Sequence, residues 1–270
     1  MIRLAGIDVD GTLVGTGGAV HPSIWTAAAA ARAAGIHLVL CSGRPAFGHA
    51  LDYAQRLDAA GWHVFQNGAS IMDLGSGTSR SSQLPQHVID EFVTQARRTG
   101  DLLELYSDHA YASESDSPWA HEHAVLLGVP FACRPFESLE SPVVRAQWIL
   151  PAQKATTFAA ISRPGLEVAL STSPVMEDAT FVGITPAGVS KGSALESVAH
   201  TYGIEMKDIM YVGDADNDLS ALRRVGHPVA MANASASVLE VAKHVVGHVD
   251  AGGLAQALHL AISATAASCG

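Results

Sequence analysis

Twice along this chain a short apolar run gives way to a helical stretch and then to another apolar run, and between the two passages the rhythm changes. In the first passage residues 2–9 read as a strand, Ser23 to Ala34 as an Ala-rich helix and Ile36 to Cys41 as a second strand. Residues 46–59 read as a helix and His63-Val64-Phe65 as a third strand. Gly35 sits where a residue without a Cβ ends the first helix at little cost. Nearly continuous apolar strands alternating with helices predict a parallel sheet covered on both faces. The same rhythm resumes from Gly188: a helix at 191–202, the strand Ile209-Met210-Tyr211-Val212, a helix at 216–224, a short strand around Val229-Ala230, a helix from Ala236 and a last helix near Gly253.

Between these passages the polar stretch Ser76–Ser82 suits a linker. Beyond it a helix at 86–99 carries one apolar stripe of Val88, Ile89, Phe92, Val93 and Ala96. Two short strands, Leu102–Ser107 and Ala110–Ala112, are joined by a tight turn at Asp108-His109. A helix around 118–127, a strand at 144–150, a helix at 153–162 and strands near 166–171 and 180–185 follow. The expected class is α/β. A Rossmann-like three-layer α/β/α core with a parallel sheet is built from residues 1–83 and 184–270, and a small α+β module at 84–183 is inserted into it.

A chain of 270 residues that is 48% hydrophobic and 16% charged buries a sizeable core and is not disordered. Its formal net charge of -10, without a run of lysines and arginines, argues against nucleic acid and anionic membranes as partners. No apolar stretch approaches the ~18 residues that span a bilayer. Cys41, Cys133 and Cys269 are too few and too far apart to staple a secreted domain, so buried or free thiols are expected. With a strand-like start and no basic leader, a cytoplasmic location is the default. Nothing in the sequence bears on oligomeric state.

Four polar clusters fall at the carboxyl ends of strands, where an open parallel sheet places its active site. The first is Asp8-Val9-Asp10-Gly11-Thr12. An acid at the end of an apolar strand is costly to bury unless paired or bound to metal. Asp8 can act as a nucleophile on phosphorus, and Asp10 as the acid and then the base. Asp10 capping a turn is an equal reading of these residues alone. The second, Ser42-Gly43-Arg44, offers a hydroxyl and an amide to an anion, although Ser42 reads as well as a helix N-cap. Arg44 reads either as a substrate contact or as a surface side chain. The third is Lys191, a cation at a helix start that opposes the helix dipole and so suits a phosphate-screening role as well as a solvated one. The fourth, Gly213-Asp214-Ala215-Asp216-Asn217-Asp218, repels itself without a cation, and its oxygen-only ligands suit Mg²⁺. A calcium-like or solvated acidic loop is the alternative, but the loop lacks the glycine and final glutamate of an EF-hand. Phosphoryl transfer through an aspartyl-phosphate is the reaction class that uses all four clusters.

With these clusters in order, the sequence resembles the haloacid dehalogenase superfamily, and within it the Cof-type sugar-phosphatase group with a class II (IIB) cap. The narrower likeness rests on Gln66-Asn67-Gly68-Ala69, on Ile184-Thr185-Pro186-Ala187-Gly188-Val189-Ser190-Lys191-Gly192 and on Ala230-Met231-Ala232-Asn233-Ala234. The resemblance implies a phosphatase with Asp8 as nucleophile and Asp10 as acid/base. It implies Mg²⁺ held by the Asp8 carboxylate, the Asp10 backbone carbonyl and Asp214, with Asn217 and Asp218 supporting the metal, its waters and Lys191. It also implies phosphate or substrate contacts from Thr12, Ser42, Gly43, Arg44, Asn67, Asn217 and Lys191, and a specificity role for the inserted cap. The partner it implies is a small phosphorylated metabolite, a sugar phosphate first. Leu219-Ser220-Ala221-Leu222, where the family usually has a methionine, is a departure in packing.

Competing readings are transfer of phosphate between sugars, as in a mutase, and a non-enzymatic phosphoacceptor or phosphate-binding regulator. Receiver-type phosphoacceptors are much shorter and have no insert between the hydroxyl and the lysine. Intact Asp8 and Asp10 speak against a retired enzyme fold.

Overall fold

The computed structural model describes residues 1–140, 142–161, 163–172 and 175–266. Cys269 and the expected helix end at Ser162 lie outside the described residues. In chain order the elements are β1 (Leu4–Ile7), α1 (Pro22–Ala33), β2 (His37–Leu40), α2 (His49–Asp58), β3 (Trp62–Phe65) and β4 (Ser70–Asp73). Next come α3 (Gln86–Thr99), β5 (Leu102–Tyr106), β6 (Tyr111–Ala112), α4 (Pro118–Leu127), β7 (Arg145–Leu150), α5 (Ala152–Ala159), β8 (Leu166–Thr172) and β9 (Thr180–Pro186). The chain ends with α6 (Lys191–Thr201), β10 (Ile209–Gly213), α7 (Leu219–Leu222), β11 (His227–Met231), α8 (Ala236–Val241), β12 (His244–Val246) and α9 (Gly253–Ala266). They form two compact units, one of residues 1–43, 52–79 and 190–270, the other of residues 44–51 and 80–189.

The first unit is the parallel α/β fold expected from the alternating runs. Its sheet has the order β12-β11-β10-β1-β2, with every pair parallel. β1 and β10 lie side by side at its centre, so the loops after Ile7 and after Gly213 leave the sheet next to each other. Helices α1 and α9 pack together over one face. On the other, Ala194, Leu195 and Val198 of α6, Leu222 of α7 and Val238 of α8 bury against Leu4, Val39 and Tyr211. Cys41 is buried here as a free thiol.

Three local expectations are corrected. The third strand does not extend the parallel ladder beyond one bridge, Cys41 to Val64; β3 instead pairs antiparallel with β4, a strand absent from the sequence reading. The reversal runs through Gln66 and Asn67, both left-handed at φ 54° and 55°, an unusual conformation for side chains with a Cβ. The second helix begins at His49 rather than 46, because Gly48 at φ 59° cannot belong to it. The 216–224 helix is a 3₁₀ turn, Asp216–Asp218, followed by the short α7.

His63 joins β3 to β2 with its side chain. Its Nδ1 accepts from the Leu40 amide at 3.0 Å and its Nε2 lies 2.8 Å from the Asp58 carbonyl, which fixes a neutral ring protonated on Nε2. Burial pushes the ring down to about 4, whereas an unfolded histidine titrates near 6.5. The unfolded chain therefore takes up the proton first as pH falls. The contribution is whole above about pH 6.5 and is lost as pH falls towards 4, on the order of 3 kcal/mol in all. Denaturant unfolding of His63→Gln between pH 7 and 4 is expected to show that much less loss than wild type; equal loss would remove His63 as a cause.

In the second unit all strands pair antiparallel in the order β6-β5-β7-β9-β8. Alternate residues face two cores. Leu103, Leu105, Trp148 and Val182 bury with Phe92 of α3 and Phe158 of α5. Leu102, Ile149 and Phe181 bury with Ala120 of α4. That second face also carries polar side chains. Tyr106 donates to Glu104, the Glu104 carboxylate lies 2.8 Å from His123 Nδ1, and Arg145 donates to Gln147. Cys133 is exposed and free.

Candidate active site

β1 ends with its ladder intact, the Asp8 amide donating to the Val212 carbonyl at 3.1 Å. The chain then turns back on itself, with the Leu13 and Val14 amides both donating to the Val9 carbonyl. Gly11 is left-handed at φ 85°, and a Cβ there would fall on the Asp214 carboxylate, so glycine is required on both counts. The turn buries Asp8 and leaves Asp10 exposed.

Lys191 opens α6 behind the N-cap Ser190, whose hydroxyl is locked in a reciprocal capping box with Ser193. Its ammonium is buried and sits 2.5 Å from Asp8 Oδ1 and 2.7 Å from Asp218 Oδ1. Burial pulls the lysine down, but Asp218 and Asp8 outweigh it and hold its ammonium well above its ordinary range. Lys191 is therefore a fixed charge rather than a proton carrier.

Asp218 is wholly buried and saturated with donors. Oδ1 accepts from Lys191 and from the Tyr211 hydroxyl at 2.7 Å, and Oδ2 from the amides of Asp214 and Ala215 at 3.1 Å each. Asp214 accepts from the Thr12 hydroxyl at 3.0 Å. Ligand oxygens of Asp8, Asp214 and Asp218 all lie within 4.8 Å of one another.

Burial and then the Asp218 charge hold the Asp8 carboxyl well above the usual carboxylate range, with Lys191 pulling the other way. The same two causes push Asp214 up to about 6. Carboxylates this close, short of countercharge and offering only oxygen, are the donor set a hard divalent cation such as Mg²⁺ takes. The residues therefore fit a divalent metal.

The other sequence candidates fall around this centre. Ser42 is buried after β2, its amide bonded to the Val64 carbonyl and its carbonyl to the Asn67 amide. Gly43 faces the Asn67 amide side chain, which a Cβ at Gly43 would press at 3.2 Å. Asn67 in turn accepts from Asn217 Nδ2 at 3.2 Å, so the strained 66–67 turn brings together residues from two distant motifs. Arg44 is grouped with the second unit. Tyr211, within the strand Ile209-Met210-Tyr211-Val212, and Asn233, within Ala230–Ala234, also reach this centre, and the sequence assigns neither a role in it. Asn233 reaches the Gly11 carbonyl, but nothing in the local pattern at either position signals a polar partner.

A family model for haloacid dehalogenase-like hydrolases matches residues 6–258. YxeH of Bacillus subtilis is 26% identical over 276 residues, spanning 96% of this chain and 98% of its own length. A Yersinia pseudotuberculosis protein named HMP-PP phosphatase is 24% identical, spanning 96% and 95%. The solved structure of BT4131, called a HAD subclass IIB sugar phosphatase, superposes with a TM-score of 0.81 at 22% identity, spanning 96% of this chain and 99% of that one. Among the described residues, no helix is long and apolar enough to cross a membrane.

Proposed function

The chain belongs to the haloacid dehalogenase-like hydrolases, and on that premise we propose that it is a Mg²⁺-dependent phosphatase that cleaves small phosphomonoesters through an aspartyl-phosphate on Asp8. The observation that carries this reading is the Lys191 ammonium shared between Asp8 and Asp218, with Asp214 beside them. It presents a nucleophilic carboxylate, a permanent cation and a ready metal site at one strand end.

Asp8, the Asp10 backbone carbonyl and Asp214 would hold the metal. When bound, Mg²⁺ would offset the repulsion between carboxylates and a phosphate dianion. Asp8 attacks phosphorus, the bond from phosphorus to the leaving oxygen breaks, and Asp10 gives that oxygen its proton. Asp10, now a carboxylate, takes a proton from water as the water oxygen attacks phosphorus. The bond to Asp8 then breaks, releasing phosphate and restoring both acids. Lys191, the Ser42 hydroxyl and the Gly43 amide steady the phosphate oxygens, with Asn67 and Asn217 beside them.

Thr12 acts in this reading through its bond to Asp214. Asp218, with every acceptor direction used, orients Lys191 and the 213–215 turn. The insert at 84–183 serves as the specificity domain, and Arg44 goes with it. The substrate class is a small phosphorylated metabolite, with sugar phosphates first; the names of HMP-PP phosphatase and of the sugar phosphatase BT4131 support that class.

Release of phosphate from p-nitrophenyl phosphate tests the reading. Turnover with Mg²⁺ that EDTA abolishes is expected, and turnover indifferent to EDTA would contradict it. Asp10→Asn is expected to slow breakdown of the phosphoenzyme by about 10²–10⁴-fold, and to slow its formation as well from an alkyl phosphate, whose leaving oxygen needs a proton that p-nitrophenolate does not. Single-turnover and burst kinetics that match wild type would remove Asp10 from that role.

A further inference from the structure

Among the polar side chains of the first unit outside the four clusters, Asn233 is placed to act on the centre. It lies in the turn after β11, and its single amide ties together three segments distant in sequence. Nδ2 donates to the Gly11 carbonyl at 2.8 Å and lies 3.4 Å from Asp214 Oδ2. Oδ1 accepts from the Val249 amide at 3.0 Å. The orientation of the amide is settled by these partners: reversed, it would set oxygen against the Gly11 carbonyl and NH₂ against the Val249 N–H.

Two things follow at Asp214. Its oxygens are addressed separately, Oδ1 by the Thr12 hydroxyl and Oδ2 by Asn233, which fixes the plane of the carboxylate. The left-handed Gly11 turn, which leaves no room for a Cβ beside that carboxylate, is also pinned at its carbonyl by the same Asn233 amide. Asp250 holds the same stretch further along, accepting from the Thr16 amide and hydroxyl at 2.9 and 2.8 Å. Asp250 is thus a natural control, because it anchors the stretch and not the carboxylate.

We infer that Asn233 is a positioning residue for the metal site, setting the orientation of Asp214 and the distance of the Asp8–Thr12 turn from it. The inference rests on the metal-dependent reading above. Partners that orient a metal-binding group are typically worth 10–100-fold in metal affinity.

The test needs no substrate. The Mg²⁺ dependence of the melting temperature is titrated for wild type, Asn233→Ala and Asp250→Ala. The Mg²⁺ dissociation constant fitted from the rise in melting temperature is expected to increase about tenfold or more in Asn233→Ala and to stay near the wild-type value in Asp250→Ala, even where both variants melt lower without metal. If Asn233→Ala does not fold, Asn233→Ser, which keeps a shorter donor, is read by the same criterion. A wild-type melting temperature that rises with Mg²⁺, with an unchanged fitted dissociation constant in the Asn233 variant, overturns the assignment alone, as does an equal shift in Asp250→Ala. A wild type with no Mg²⁺ response overturns the metal site and this assignment together.

Discussion

Asp8→Asn is expected to abolish metal-dependent phosphate release, by at least about 10⁴-fold, while leaving the metal-free protein as stable as wild type or more so. The first half follows from removing the nucleophile. The second follows from the sign of the shift at Asp8: burial and then Asp218 raise its carboxyl, so the folded site disfavours a negative charge there. The neutral amide relieves that cost, and Lys191 retains Asp218 as a partner. Activity is read with p-nitrophenyl phosphate and stability by thermal melting in EDTA. Retained turnover would remove Asp8 as nucleophile, and a large fall in melting temperature would mean that the Lys191–Asp8 contact outweighs burial.

Lys191→Met has the opposite profile in stability. The ammonium is buried between two carboxylates, and removing one member of a buried ionic group typically costs 3–5 kcal/mol, because the remaining charges stay desolvated. A loss of about that size in denaturant unfolding is expected in EDTA, with Mg²⁺ restoring part of it by supplying positive charge to the same acids. Turnover is expected to fall about 10²–10³-fold, the usual effect of deleting one electrostatic contact to a reacting group. A stability change under about 1 kcal/mol would show that Asp8 and Asp218 find other compensation.

Asp8, Lys191 and Asp214 were legible in the sequence because each marks the end or beginning of an element with a strong apolar pattern. A carboxylate directly after Leu4–Ile7, or a lysine opening a helix behind Ser190, conflicts with its local setting, and the conflict is visible in one dimension. The parallel sheet was legible for the same reason, since β1, β2 and β10 are short, apolar and spaced by helices.

What escaped depends on three-dimensional register. β4 is four residues of mixed polarity, and its pairing with β3 needs Gln66 in a left-handed turn that glutamine rarely signals. β12 is only three residues, His244–Val246. Tyr211 looks like any core aromatic within Ile209-Met210-Tyr211-Val212 until β10 is set beside the Asp218 turn, where its hydroxyl meets a buried oxygen. Asn233 and Thr12 likewise reveal their partners only when the loops after β1, β10 and β11 converge.

The central claim is the covalent phosphoryl group on Asp8, and trapping it is the direct measurement. Asp10→Asn, mixed with p-nitrophenyl phosphate and Mg²⁺ and quenched in acid within its first turnover, is digested and its phosphorylated peptide sequenced by mass spectrometry. Phosphate on the peptide containing Asp8, absent with EDTA, is the predicted result. Phosphate on another residue, or rapid release of p-nitrophenol with no phosphorylated peptide formed, would contradict it.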